Sequence, residues 1–473
     1  MSSLPSFPHR RSSGFQQVVA AFLSQPGLPF AQVLSAERIE RIFSEHGNQF
    51  GTGGIYSTAV VVWAFLGQVL SDGKHAACEA AVASIITFRL QCNLSSPTAD
   101  TGDYCRARAK VSEAALRSVA VEVAADMESQ ADTRWLWKGH HAKLVDGTTF
   151  TMPDTTKNQK AFPSPKSQKK GIGLPIARIA VILSLATACA LDLALAPYAG
   201  KETGETALLR QLLSSFNAGD VAVMDRFYCS FMMIAQSLQR NVQVCARMHH
   251  RRHVDFRRGR RLGKYDHIIV WTKPARPAWM DQATYDGIPD TMEMREISYT
   301  VVEPGRRSKR ITVATTFTDA AAFSKEDIAE LYGFRWNSEL DIRSIKQAMN
   351  LSHVRCKSPE MVRKELWITI LGYNLIRTTA AAAALLHDKQ PRQISFTGAC
   401  QFVLAGWMVA CCREDNRELT SLYLTVLKRI SECEVANRPG RLEPRVLKRR
   451  RHGYPLMQKP RNVLRLELRK RCS

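Results

Sequence analysis

The segment Ile176–Pro197 constrains the fold more than any other, because it is almost entirely apolar and must be buried. Its only charged residues are Arg178 and Asp192. A run of this length raises the question of a membrane-spanning helix. Its proline boundaries, the β-branched residues at its start and the internal aspartate favour two buried strands joined by a turn instead. The chain is therefore expected to contain a buried sheet.

Short apolar segments with aspartates lie on both sides of this predicted strand pair. Lys143–Phe150 predicts a strand that stops at the Asp-Gly turn of Asp146. Gly219–Tyr228 predicts another short strand, which ends at Asp225. A helix is predicted between the two at Thr206–Ser215. Strands and helices in this order predict an α/β domain whose ligand site lies in the crevice at the strand ends.

The stretch Val242–Thr318 lacks helical periodicity and predicts an insertion of antiparallel strands. Its β-type segments are Tyr265–Thr272, Arg295–Val302 and Lys309–Thr316. Turns rich in arginine, glycine and proline separate them. Three histidines in one basic turn are candidate metal ligands, although the flanking arginines favour phosphate contact: His249, His250 and His253.

The rest of the chain is predicted to be helical or basic. Apolar residues recur at helical spacing in residues 31–130, where the basic segment Thr98–Lys110 suggests a DNA-binding domain. An ordinary helical bundle with a solvated basic face explains that segment equally well. The predicted organisation is a loosely ordered N-terminus at 1–30, the helical domain at 31–130, the two parts of the α/β domain at 135–241 and 319–358, the β insertion at 242–318, a helical region at 359–435 and a basic tail at 436–473.

The charge balance indicates the class of partner. The chain has 66 Lys and Arg residues against 43 Asp and Glu residues, a formal charge of +23. Such an excess implies a polyanion, most commonly nucleic acid. No amphipathic anchor, lipidation signal or secretory leader is recognisable, so neither a membrane partner nor secretion is expected. The 12 cysteines include no C-x-x-C pair, which excludes an ordinary zinc ribbon and predicts reduced thiols in a cytoplasmic protein.

A charged helix is predicted over Leu331–Lys346, after a capping sequence that begins at Ser324. On a helix turning about 100° per residue, one narrow face carries a phenol, a guanidinium, a carboxylate and an ammonium. The residues are Tyr332, Arg335, Glu339 and Lys346. A carboxylate among cations suits either a solvated ion-pair face or a site where the carboxylate holds a metal ion and the cations contact phosphate.

Three carboxylates can then be considered together: Asp146, Asp225 and Glu339. Two divalent cations about 4 Å apart, held by carboxylates, can generate an attacking hydroxide and stabilise a leaving oxygen in phosphoryl transfer. Mg²⁺ suits such a site because it accepts few protein carboxylates and leaves positions for water and phosphate. Taken singly, each aspartate is more typical of a turn or a helix cap.

The order of these residues resembles a known family. The spacing of two, three and six residues within Tyr332, Arg335, Glu339 and Lys346 resembles the YREK signature of the DDE transposases of the insertion-sequence-four family. Asp146–Thr149 and Val223–Tyr228 resemble the first and second aspartate motifs of that family. The β-rich stretch before Glu339 resembles the family's β insertion, and the similarity extends over nearly the whole chain.

The resemblance implies an RNase-H-like catalytic domain, an α/β fold interrupted by the β-strand insertion and flanked by helical N-terminal and C-terminal regions. It implies two Mg²⁺ ions, for which Mn²⁺ can substitute, bound by Asp146, Asp225 and Glu339. Contacts to the phosphates of the transposon end are implied for Tyr332, Arg335 and Lys346. Arg343 lies on the same predicted face and is a further phosphate candidate, with a solvated side chain as its alternative.

The implied reaction is hydrolysis that frees a 3′-OH at the terminal inverted repeats, followed by attack of that 3′-OH on target DNA. A homodimer on paired ends is expected, in the bacterial cytoplasm and at the nucleoid when bound to DNA. Some relatives excise through a DNA hairpin and flip a base against an aromatic residue, for which the insertion offers Trp271, Trp279 and Phe317. Two alternatives remain: a catalytically inactive, transposon-derived DNA-binding protein, and an RNase-H-like structure-selective nuclease.

Overall fold

The computed structural model describes residues 34–52, 54–91, 94–169, 171–249, 251–302, 309–410, 416–436 and 457–472. The chain divides into two compact units. The helical unit combines Met1–Asp126 with Arg363–Glu434, and the sheet unit combines Met127–Val362 with Val435–Ser473. The predictions for residues 1–30, for His250 and for residues 437–456 of the basic tail lie outside the described residues.

The helices in chain order are α1 (Ala36–Glu45), α2 (Thr58–Val69), α3 (Cys78–Gln91), α4 (Gly102–Lys110), α5 (Glu113–Ser129), α6 (Thr156–Ala161), α7 (Glu205–Gln211), α8 (Phe231–Leu238), α9 (Gln282–Asp286), α10 (Lys325–Gly333), α11 (Trp336–Gln347), α12 (Pro359–Leu386), α13 (Phe396–Ala410), α14 (Asn416–Glu432) and α15 (Arg461–Cys472). The strands are β1 (Ala142–Thr151), β2 (Ile176–Ser184), β3 (Ala190–Pro197), β4 (Val221–Met224), β5 (Gln243–Arg247), β6 (Arg260–Gly263), β7 (Asp266–Thr272), β8 (Thr291–Val301) and β9 (Lys309–Thr315).

The helical unit contains the long apolar helix α12. By length and composition alone this helix could cross a membrane, but 83% of its apolar window is buried inside the protein. Its polar side chains find partners within the same unit. Lys364 Nζ donates to the Ala109 carbonyl at 2.8 Å, and Asn374 Nδ2 donates to the Ala120 carbonyl at 3.2 Å. These features are typical of the core helix of a folded domain, whose buried polar groups must be hydrogen-bonded.

The sheet unit is built on nine described strands in the order β3-β2-β1-β4-β5-β9-β8-β7-β6. β2 is antiparallel to both β1 and β3, whereas β4 is parallel to both β1 and β5. The strands from β9 to β6 continue the sheet in antiparallel pairs. The prediction of two buried strands at Ile176–Pro197 is confirmed. The fold is RNase-H-like α/β with an antiparallel β insertion, as predicted.

Three charged groups in the core of the sheet unit are satisfied by close partners. Asp192 is 2% exposed and accepts hydrogen bonds from Ser215 Oγ at 2.6 Å and Leu193 N at 2.8 Å. Lys143 Nζ lies 2.5 Å from Asp220 Oδ2 and donates to the Ser215 carbonyl at 3.1 Å. Both side chains of this ion pair are at most 5% exposed. Because Lys143 lies on β1 and Asp220 immediately precedes β4, the pair fixes the two strands to each other.

The β insertion has a polar core of its own. Arg295 on β8 makes a two-pronged contact with Asp266 on β7, at 2.9 and 2.7 Å. His267 Nε2 lies 3.0 Å from Glu296 Oε2, and Trp271 Nε1 donates to Glu296 Oε1 at 2.8 Å. These partners hold neighbouring strands in register. The short helix α9, within the insertion, was not predicted.

Two local predictions are wrong. β1 does not stop at Asp146 but continues to Thr151, because its whole length pairs with β2, from Lys143 opposite Ser184 to Thr151 opposite Ile176. The charged segment is not one helix but two, α10 and α11, with a turn at Phe334 between them. The predicted start of α10 is correct: Ser324 and Asp327 form a reciprocal capping box.

Candidate active site

The register between β1 and β4 brings the two predicted aspartates to the same place. The last parallel pair is Val145 opposite Met224. Asp146 follows Val145 and Asp225 follows Met224, so both aspartates come directly after the last parallel pair of the two strands. The sheet thus places Asp146 beside Asp225 even though β1 itself continues.

Asp146 is held by polar groups from its own strand and from α11. Ser338 Oγ donates to Asp146 Oδ2 at 2.7 Å, and the Gly147 amide donates to Oδ1 at 2.9 Å. Burial raises the pKa of Asp146 above its ordinary value, while Ser338, Gly147 and Arg335 oppose that rise. Glu339 raises the pKa further by charge repulsion. The neighbouring hydrogen bonds and the Arg335 charge therefore do not fully offset the effect of burial on the Asp146 carboxylate.

Arg335 lies between the first aspartate and the glutamate. Its Nη2 donates to Glu339 Oε1 at 2.7 Å, and its Nη1 lies 3.4 Å from Asp146 Oδ2. Burial lowers the pKa of Arg335, but the neighbouring Tyr332, Glu339, Asp146 and Asp225 outweigh burial and raise it. The guanidinium therefore supplies the positive charge that the carboxylates share.

The other residues of the signature occupy different settings. The Tyr332 side chain is buried; burial raises the pKa of its phenol, with Arg335 opposing and Asp225 adding to the rise. Lys346 Nζ donates to the Thr149 carbonyl at 2.9 Å and to Thr148 Oγ1 at 3.2 Å. This attaches the end of α11 to β1. Arg343, the additional phosphate candidate, is exposed.

Comparison with known proteins decides the family. The family model described as the transposase DDE domain matches residues 137–375. This chain belongs to the DDE transposases.

A relative extends the assignment over almost the whole chain. The transposase InsG for insertion sequence element IS4, from Escherichia coli strain K12, is 26% identical over 450 residues, covering 92% of this chain and 95% of the relative. The protein is an insertion-sequence DNA transposase of the IS4 family and a metal-dependent enzyme. Among solved structures, the piggyBac transposase synaptic complex with hairpin DNA matches with a TM-score of 0.38 and 10% identity, over 78% of this chain and 76% of that one.

A fourth acidic residue of the transposase lies beside the two aspartates and was not predicted as a site residue. Glu205, the first residue of α7, packs its carboxylate against the backbone of Gly147. Burial raises the pKa of Glu205; Arg178 and the nearby Tyr228 hydroxyl oppose this, and Asp146 and Asp225 add to it. The sequence signal that could have found it is Gly147 itself, because glycine inside a strand often marks the close approach of another group.

Tyr228 and Ser338 were also missed. The Tyr228 side chain is completely buried, and its hydroxyl makes no hydrogen bond of normal length and angle within the described part of the chain. Burial raises the pKa of Tyr228 well above its ordinary value, and Glu205, Asp146 and Asp225 contribute by charge repulsion. This polar atom therefore lies close to the carboxylates without a well-formed bond to any of them.

The three aromatic candidates of the insertion differ in accessibility. Trp271 is 4% exposed, and Arg252 lies over its ring at 3.6 Å. Phe317 is 6% exposed and packs against the ring of Phe323, at 4.3 Å between centroids. Trp279 is 38% exposed. Arg210 lies over its ring at 3.9 Å, and Trp279 has the most exposed side chain of the three.

The donor chemistry of the site fits a hard divalent cation, since its ligands are carboxylate oxygens and the buried Tyr228 hydroxyl lacks a well-formed hydrogen bond. In the described residues, no three His, Cys, Asp or Glu side chains converge closely enough to hold a metal ion directly. A guanidinium lies between two of the carboxylates instead. Arg335 therefore supplies the positive charge between Asp146 and Glu339 in this structure.

Proposed function

We propose that the transposase cleaves the terminal inverted repeats of its element by metal-dependent hydrolysis and joins the freed 3′-OH to target DNA. Asp146, Asp225 and Glu339 are the proposed metal-binding residues. The observation that supports this most directly is the placement of Asp146 and Asp225 side by side where β1 and β4 stop pairing. Arg335, in contact with both Asp146 and Glu339, links the third carboxylate to this pair.

Mg²⁺ is the proposed cation, and Mn²⁺ is expected to substitute for it. When bound, two such ions activate the nucleophile and stabilise the leaving oxygen. Asp146 and Asp225 present carboxylate oxygens from the rigid sheet, and Ser338 orients Asp146 through its 2.7 Å hydrogen bond. This preorganisation is what catalysis by charge stabilisation requires.

The cationic side chains have separate roles in this proposal. The contact between Arg335 and Asp146 is long at 3.4 Å, so the guanidinium can exchange it for a DNA phosphate, with which it forms charge-assisted hydrogen bonds. That exchange would leave Asp146 available to a cation. Lys346, which also holds α11 on β1, and the exposed Arg343 are proposed to contact DNA phosphates. Tyr332 supports the site from within the fold.

The test is a set of conservative variants, Asp146→Asn, Asp225→Asn and Glu339→Gln, assayed on duplexes that carry the element's terminal repeats. Mg²⁺-dependent cleavage should be lost in each variant while binding to the duplex persists in gel-shift assays. Glu293→Gln, at an exposed position on β8, is a matched control that should cleave normally. Normal cleavage by any of the three site variants would contradict the metal-site assignment.

The same assay separates the alternatives. Binding without cleavage by the unaltered protein would indicate an inactive, transposon-derived DNA-binding protein, and cleavage without joining would indicate a structure-selective nuclease. We further propose a homodimer, because two transposon ends must be processed together, acting on DNA in the bacterial cytoplasm. Excision through a hairpin is proposed with Trp279 as the stacking residue, on the basis of its accessible ring.

A further inference from the structure

Glu205 is a carboxylate for which the proposed reaction has no role. It lies at the start of α7, and Thr206 Oγ1 of the same helix donates to the Phe227 carbonyl at 3.3 Å. This bond fixes the helix beside the segment that carries Asp225. The Glu205 carboxylate meanwhile packs on the residue that follows Asp146. One acidic side chain is therefore held next to both predicted metal-binding aspartates.

The fit between Glu205 and β1 depends on glycine at position 147. A methyl group on Gly147 would lie 2.5 Å from Glu205 Cδ and 2.7 Å from Oε1, closer than real contacts allow. The atoms in the way belong to the end of a flexible side chain, so an alanine here would displace the carboxylate and leave the strand in place. Because Gly147 has no side chain, it leaves the space that the carboxylate of Glu205 occupies.

The buried side chain of Tyr228 lies close to the same three carboxylates. Its side chain is 0% exposed, and its hydroxyl makes no hydrogen bond of normal length and angle among the described residues. The hydroxyl nevertheless lies close enough to the Glu205 carboxylate to oppose the rise in the pKa of that group. The carboxylate of Glu205 is repelled by those of Asp146 and Asp225, which lie close to it. A buried hydroxyl and three acidic side chains therefore come together beside Gly147, and oxygen-rich surroundings of this kind suit a hydrated divalent cation.

We propose that Glu205 is a positioning residue of the metal site, which accepts hydrogen bonds from water molecules bound to the cation held by Asp146 and Asp225. The inference rests on the proposed function of those two aspartates. Mg²⁺ keeps several of its waters in proteins, so a carboxylate beside the direct ligands can act on the ion through those waters. Residues that orient a metal's ligands in this indirect way typically contribute about 10–100-fold to metal affinity.

The test is a titration of the full-length protein with Mn²⁺ in the absence of DNA. Isothermal titration calorimetry measures the metal affinity directly, so the result does not depend on activity. Glu205→Gln should weaken Mn²⁺ binding about tenfold. Gly147→Ala should weaken it similarly by displacing the carboxylate, and the double variant should be no weaker than either single variant. Glu202→Gln, in the exposed turn before α7, is the matched control and should bind as the unaltered protein does.

Thermal unfolding of each variant separates metal binding from folding, since Glu205→Gln and Gly147→Ala should unfold within a few degrees of the unaltered protein. Unchanged Mn²⁺ affinity in Glu205→Gln, with Asp146→Asn strongly weakened, would overturn the role of Glu205 alone. Unchanged affinity in Asp146→Asn would overturn the proposed metal site itself. Additive losses in the double variant would contradict the idea that a methyl group on Gly147 acts by displacing the Glu205 carboxylate.

Discussion

The buried ion pair between Lys143 and Asp220 should determine whether Asp146 and Asp225, the proposed metal-binding aspartates, stay aligned. Lys143→Met removes the ammonium and leaves Asp220, 4% exposed, as an uncompensated buried carboxylate. Breaking a buried pair in this way typically costs about 3–5 kcal/mol. The Asn217 amide, which donates to Asp220 Oδ2 at 2.6 Å, would remain as a partner and favours the lower part of that range.

Hydrogen exchange measured by mass spectrometry on peptides from β1 and β4 is the appropriate assay, because the two compact units need not unfold together. Since about 1.4 kcal/mol is a factor of ten, protection of these strands should fall by about two to three orders of magnitude. Peptides from α12 in the helical unit serve as the internal control.

The double variant Lys143→Met with Asp220→Asn tests whether an unpaired buried charge causes the loss of protection. Replacing both partners of a buried pair by neutral groups is often close to neutral in stability. Most of the lost protection in β1 and β4 should therefore return. Full protection in the single variant, or equal loss in the single and double variants, would show that this pair does not hold the strands together.

Three further predictions concern the site. Because burial raises the pKa of Asp146, ionisation of this carboxyl opposes folding at pH values above that pKa. Without metal, Asp146→Asn should therefore be more stable than the unaltered protein at pH 7. Urea unfolding should show that this difference in stability shrinks as the pH falls towards about 4. Lys346→Ala should weaken binding to transposon ends and flatten the salt dependence of that binding, measured by fluorescence anisotropy; an unchanged slope would mean that this lysine only holds α11 on β1. Trp279→Ala should reduce hairpin formation on pre-nicked ends more than it reduces nicking, whereas Trp271→Ala should lower the melting temperature, since Trp271 is buried.

Local signals were sufficient for much of the fold. The apolar segment with Asp192 became β2 and β3, because proline boundaries and β-branched residues act locally. The capping sequence at Ser324 formed the predicted box. The short β-type segments of the insertion predicted β7, β8 and β9, although β8 begins at Thr291 and not at the predicted Arg295. In each case the deciding interactions lie within a few residues of the signal.

Features that depend on distant partners could not be predicted in the same way. The length of β1 is set by its pairing with β2, which overrides the turn preference of Asp146 and Gly147. The position of Glu205 depends on a contact between residues far apart in sequence. The charged face predicted over Leu331–Lys346 grouped Arg335 with Glu339, which form an ion pair, but the contact of Arg335 with Asp146 on β1 depends on the fold. Placing the three carboxylates as metal ligands stays a prediction.

The pairing of β5 with β9 has a consequence for how this enzyme can change in evolution. Arg247 lies opposite Val313, so the chain leaves the catalytic strands and returns to them at neighbouring positions, about 5 Å apart for paired strands. Strands β6, β7 and β8 lie wholly between these two points and pair with neither β1 nor β4. A change in the loops that connect them therefore leaves the pairing of β1 with β4 in place.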